Sequence, residues 1–287
     1  MITVNIEKFI ETRKKMGLSQ AELCDGICTQ ATLSKFENSG KAPAIRILIQ
    51  LCARLNLTLD DVFPITLHSQ TKQERMLDEA EFMLITSDYE QAKEKLAKIK
   101  PEKLTATTKM QYYFVTGYIS ALTNRPIIDT LFYFDQIING LDEHHETIYS
   151  QLAFTGIGIA YSHDEELDKS EFYFQKVFEG LHELPLTDDK SIWRALNMIF
   201  YTAEFFAQIE DYATSDSLLD YGYEVCAKNH ITYYVARIRY RQAQNAQATH
   251  QPTVAIQDML NDARAFAKIN NNQILLQRIN SNELNLK

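Results

Sequence analysis

Residues 17–38 constrain this chain more than any other stretch. Gly17-Leu18-Ser19-Gln20-Ala21-Glu22-Leu23 is followed, three residues on, by Ile27-Cys28-Thr29-Gln30-Ala31-Thr32-Leu33-Ser34-Lys35-Phe36-Glu37-Asn38. Ser19 with Glu22 is a capping box, so a helix is predicted to start at Ser19, and Leu18 and Leu23 hold the staple positions that fix its entry angle. Gly26 can end that helix in a left-handed turn. Thr29 can cap a second helix that turns Leu33 and Phe36 inward and Gln30, Ala31, Ser34 and Lys35 outward. Two short helices joined by a tight turn, the second polar on its outer face, match the shape of a DNA major groove.

The flanks agree. Residues 5–16 are amphipathic through Ile6, Phe9 and Ile10. Pro43 stands where a fourth helix is predicted to begin, and Ile45, Leu48, Leu51, Cys52 and Leu55 repeat at helical spacing. Thr58 can cap a fifth helix ending near Phe63. Five helices in a short segment make one small core.

Residues 1–65 therefore resemble the XRE (lambda-repressor-like, Cro/CI-type) helix-turn-helix family. In that family an Arg of the first helix pairs with a Glu ending the recognition helix, and Arg13 and Glu37 hold those places. The family's phosphate-binding Gln corresponds to Gln20. The segment Ile27-Cys28-Thr29-Gln30 with Ser34 and Glu37 is also similar to PlcR-like and Rgg-like regulators. Those continue into tetratricopeptide repeats and answer to short signalling peptides.

The 287 residues suffice for a small domain and a larger one, read as residues 1–65 and 66–287. Hydrophobic residues at 45% support a large core and argue against wholesale disorder. No apolar run approaches the roughly 18 residues of a membrane span, and no basic-then-apolar leader opens the chain, so a cytoplasmic location with no membrane partner is expected. The net charge of −9 divides unevenly: residues 1–65 carry +1 and residues 66–287 carry −10. The acidic region repels DNA, and the near-neutral head must hold phosphate through placed groups. Modest affinity of one head argues for a homodimer.

From Thr71 onward the expectation is helix after helix, over about 72–86, 88–99, 105–123, 127–140, 146–162, 165–183, 189–208, 211–228, 231–248, 252–268 and 272–285. Turn signals such as Ser87-Asp88, Asn124-Arg125-Pro126 and Glu210-Asp211 separate them. Pairs recur every 33 to 43 residues or so, as in helix-pair solenoids. Gly156, Ser170 and Phe174 resemble the small and aromatic packing positions of a tetratricopeptide unit, and Ala203 and Tyr212 suggest a second copy. The repeat's usual Gly between paired helices is missing. The fold class is thus all-α, a five-helix head followed by a right-handed, tetratricopeptide-like helical array; a non-repetitive bundle is the alternative.

Such arrays curl around a groove lined by the first helix of each pair. Three such helices carry polar and aromatic clusters: Tyr112, Tyr113 and Tyr118; Trp193, Arg194, Asn197, Tyr201 and Glu204; Tyr233, Tyr234, Arg237, Tyr240, Arg241 and Gln244. Asn can bond both sides of a peptide group and Arg can take a carboxylate bidentately. Asn197, Tyr201, Arg237 and Arg241 are the candidates for binding an extended peptide. The plainer reading joins adjacent helices through these residues.

No catalytic or metal constellation is present and no cofactor is implied. His144 and His145 point to different helix faces, and no phosphate loop or nucleophile elbow occurs. Cys24, Cys28, Cys52 and Cys226 read as thiols filling core volume, with a redox role the alternative. The combined expectation is a transcription regulator that reads a double-stranded DNA operator. Base contacts would come from Gln30, Ala31 and Lys35, phosphate contacts from Gln20, Thr29, Asn38 and Lys41, with Thr32 and Ser34 also on the DNA-binding face, and control from a short signalling peptide. The rival readings are a peptide- or protein-binding scaffold, and a regulator whose repeats take a protein partner.

Overall fold

The computed structural model describes residues 6–39, 42–62, 71–181, 184 and 186–283. Among these every regular element is helical, and the chain divides into two compact units, Met1–Thr71 and Lys72–Lys287.

The first unit holds α1 (Ile6–Lys15), α2 (Gln20–Cys24), α3 (Gln30–Ser39), α4 (Ile45–Arg54) and α5 (Leu59–Val62). Side chains set most of these boundaries. Ser19 Oγ accepts the Glu22 N–H while the Glu22 carboxylate accepts the Ser19 N–H at 2.7 Å, closing the capping box. Thr58 and Asp61 repeat the device ahead of α5. Gly17 and Gly26 take φ of 72° and 68°, the left-handed region that glycine enters without steric cost. Pro43 falls just before α4, which starts at Ile45. Phe9, Leu23, Leu33, Phe36, Leu51 and Val62 are fully buried, with Phe9 and Phe36 meeting edge to face at 5.3 Å. Each such side chain contributes about 1.5–3 kcal/mol on leaving water.

The second unit begins with α6 (Lys72–Ile85), α7 (Tyr89–Leu96), α8 (Ala106–Leu122) and α9 (Ile127–Asp135). It continues with α10 (Ile148–His163), α11 (Leu167–Gly180), α12 (Asp189–Gln208), α13 (Tyr212–Asn229), α14 (Val235–Ala248), α15 (Thr253–Ile269) and α16 (Gln273–Glu283). Every helix expected from the sequence is present. Two local features are additional: a tight helical turn at Pro101–Lys103, and a π-helical continuation of α9 over Gln136–Leu141.

A structural repeat underlies the pairs. The first helices of five pairs place a buried small residue five positions before their last residue: Ala80, Gly117, Gly158, Ala203 and Ala243. The spacings are 37, 41, 45 and 40 residues, one longer than the sequence period suggests. At these points the second helix packs close. Phe174 meets Gly158, and Phe134 is held between Gly117 and Gly156. Ser170 Oγ donates to the Gly158 carbonyl and Ser215 Oγ to the Ala203 carbonyl, both at 2.9 Å and both across twelve residues. The missing turn glycines are explained as well. Ser87, Asn124, Glu165, Glu210 and His250 each adopt positive φ two residues past the end of the first helix. The left-handed turn survives with ordinary residues, at a cost of roughly 1–2 kcal/mol each.

Candidate nucleic-acid interface and array cavity

The outer face of α3 is presented by a rigid support. Arg13 Nε and Nη2 donate to the two Glu37 oxygens at 2.7 and 2.8 Å, with both side chains buried. Glu37 is the one acid of α3, and this pair turns it inward. Arg13 Nη1 also donates to the Leu18 carbonyl, tying α1 to the entry of α2. A planar guanidinium matches a carboxylate in this fork-to-fork geometry, which fixes orientation as well as charge.

Outside that support, Gln30, Ala31 and Lys35 are exposed and Thr32 and Ser34 half-buried, on one helix whose solvent face carries no acid. Thr29 is the cap of α3: its Oγ1 accepts the Thr32 N–H at 3.3 Å and meets Thr32 Oγ1 at 2.9 Å. Asn38 Nδ2 donates to Ser34 Oγ at 3.2 Å. Gln20 opens α2, and its Nε2 donates to Glu37 Oε2 at 2.8 Å, joining the support beneath α3. Lys41 lies outside the described residues. Arg54, unremarked in the sequence, donates to the Leu23 and Asp25 carbonyls at 3.1 and 2.6 Å. It thereby satisfies the end of α2, as a basic residue at a helix C-terminus does.

In the second unit, Tyr201, Arg237 and Arg241 share the wall of a cavity of about 380 Å³ with His163, Gln244 and Arg278. Among the described residues Glu204 is the one acid on this wall, set against three arginines in a region of net negative charge. Arg241 forms a bidentate pair with Glu204. Arg237 Nη2 donates to the Ile85 carbonyl at 2.8 Å and Ser87 Oγ at 2.6 Å, and its guanidinium lies over the Tyr234 ring. Burial holds the Tyr201 phenol well above its ordinary pKa, so it stays neutral. Asn197 is not on this wall. It is buried one turn earlier on α12, where its Nδ2 donates to the Tyr234 hydroxyl at 3.0 Å.

The sequence reading missed the contact that joins α6 to α12. Arg194 donates to both Glu81 oxygens at 2.7 and 2.9 Å and to the Tyr149 hydroxyl at 3.1 Å. Gln111 donates to the same carboxylate, and Phe82 packs on Trp193 and Tyr233. Helix α6 is thus tied to α12 across 113 residues. The signal was available: Glu81 sits among the core-facing Leu77, Ala80 and Leu84, a place that a carboxylate occupies only with a partner.

Residues 10–62 match the helix-turn-helix family, and the first unit is a helix-turn-helix domain of the XRE type. The whole chain is similar in fold to PlcR of Bacillus thuringiensis, solved in complex with a peptide and DNA, at 15% identity and TM-score 0.69, over 96% of this chain and 98% of that one. It is similar too to ComR of S. thermophilus, solved with DNA and its signalling peptide ComS, at 15% identity and TM-score 0.62, over 98% and 99% of the two chains. No curated protein matches the sequence. The fold, a helix-turn-helix unit followed by a helical-repeat unit, is shared with these structures.

Proposed function

We propose that this chain is a cytoplasmic, sequence-specific DNA-binding transcription regulator. It acts as a homodimer on a double-stranded operator and is controlled by a short peptide bound in the array. The observation that carries the reading is the outer face of α3: Gln30, Ala31 and Lys35 exposed, with the helix's one acid turned inward onto Arg13. Gln30 reads adenine, Lys35 guanine, and Ala31 a thymine methyl. Gln20, Thr29, Asn38 and Lys41 hold phosphates, Gln20 and Thr29 at helix starts where N–H groups face an anion. Lys41→Ala is expected to weaken binding to all sequences alike and to flatten the salt dependence by about one unit of slope in gel-shift titrations; a sequence-dependent loss would place Lys41 on bases instead.

The fold shared with PlcR and ComR, each solved with DNA and a peptide, supports the peptide part of the reading. So does the wall's set of three arginines, which suits an acidic group or the terminal carboxylate of a peptide. Tyr201, Arg237 and Arg241 are the contact residues; Asn197 acts from behind through Tyr234. Calorimetry with short peptides encoded beside this gene tests it, with binding expected and lost in Arg241→Ala. Binding unaltered by Arg237→Ala and Arg241→Ala places the ligand elsewhere, and no binding by any peptide favours a protein partner.

A further inference from the structure

Two sulfurs lie 3.4 Å apart in the turn that joins α2 to α3. Cys24 ends α2 and is 2% exposed, whereas Cys28 is half-buried. The Cys28 N–H donates to the Cys24 carbonyl at 3.0 Å, closing one turn of chain. A turn closed by a bond between residues four apart brings its two ends close, as a disulfide requires. Gly26, inside this turn, has φ of 68°, and no atom lies within 4 Å of where a Cβ would stand. The Cys24 thiol also reaches the carbonyl of Thr29, the cap of α3, at 3.6 Å.

We propose that Cys24 and Cys28 are a site of oxidative modification, closing to an intrachain disulfide that disturbs the start of α3. Burial, and then the neighbouring Cys28 thiol, push the Cys24 thiol up to about 12, so Cys28 meets the oxidant first. With a hydroperoxide, the Cys28 thiolate, its proton lost to water, attacks the terminal oxygen; the O–O bond breaks, and the alkoxide takes a proton back from water and leaves as an alcohol, with Cys28 as sulfenic acid. Cys24 then attacks the Cys28 sulfur; the S–S bond forms, the S–O bond breaks, and the Cys24 thiol proton passes to the departing hydroxyl, which leaves as water. Two sulfurs lose two electrons in all and the peroxide gains them. The sulfurs close from 3.4 Å to about 2.05 Å, and the Thr29 carbonyl loses its thiol donor. This inference rests on the turn's geometry and holds whether or not the chain regulates transcription.

The full chain, purified reduced and treated with tert-butyl hydroperoxide, tests it by peptide mapping and amide exchange. The segment containing Cys24 and Cys28 is expected to be lighter by two hydrogens and to resist alkylation until reduced, while Cys52 and Cys226 alkylate on unfolding. Free Cys24 beside a Cys28 driven on to sulfinic acid, or a disulfide between chains, would overturn the site. Amides 27–33 are expected to exchange faster in the oxidised chain and at the untreated rate in Cys28→Ser after the same treatment. A bond that forms and leaves their exchange unchanged would overturn its link to α3. The mapping on the unaltered chain stands even if the variant folds poorly.

Discussion

Arg13 and Glu37 show how much one pair can specify. Their two hydrogen bonds join α1 to α3, and Gln20 adds a third to the same carboxylate. Removing one partner strands a buried charge, a loss of about 3 kcal/mol or more, larger than the pair's own net contribution. Arg13→Met is therefore expected to lower the unfolding free energy of the first unit by that amount, read from urea unfolding; unchanged unfolding would contradict a structural role. Asp142 makes a second residue-scale case. Burial pushes its carboxyl up, but bonds from Ser150, Thr147 and the Glu146 and Thr147 amides outweigh burial and hold it below its ordinary value. A lowered folded pKa stabilises above the unfolded value of about 4, and that stability fades as pH falls through the folded one. The advantage of the wild type over Asp142→Asn in urea unfolding is thus expected to be full at pH 6 and to shrink below about pH 4. A constant difference across that range would contradict the assignment.

At the scale of elements, packing of small residues decides where helices meet. A Cβ on Gly156 would stand 2.1 Å from Phe134 Cζ, and that ring is fully buried and already faces Gly117. Overpacking costs about 1–3 kcal/mol, against a gain of about 1 kcal/mol in helix propensity, so packing wins. Gly156→Ala should lower the melting temperature of the full chain, whereas Gly140→Ala, with open space around it, should not. Equal melting of the two variants would contradict the packing account. Much of this level was readable in advance. Capping residues, turn residues and apolar period act over a few positions, so Ser19, Gly26 and Thr29 marked their turn and every array helix was found. The π-helical end of α9 was not readable, because no residue type announces a widened turn. Nor were the left-handed Glu165 and Glu210, whose conformation is imposed by the helices on either side.

For the molecule as a whole, what the sequence concealed was long-range. Asn197 and Arg194 share the polar, mid-helix appearance of groove residues, yet Asn197 supports Tyr234 and Arg194 meets Glu81. Period and spacing place a residue on a helix face, and only the curl of the array decides what that face meets. The Glu81 and Arg194 tie makes α6 part of the core of the second unit. Arg194→Met is expected to destabilise that unit by about 3–5 kcal/mol, and Glu81→Met with Arg194→Met together by much less, since no buried charge is then unpaired. Equal losses in single and double variants, measured by urea unfolding, would contradict this. The central claim, that α3 reads DNA sequence, is tested most directly by selecting binding sites from a random duplex pool with the full chain and with Gln30→Ala. The account predicts an enriched, two-fold-related motif in which one position of each half loses its preference in the variant, at a cost of about 1–3 kcal/mol. No enriched motif, or the same motif from both proteins, would contradict it.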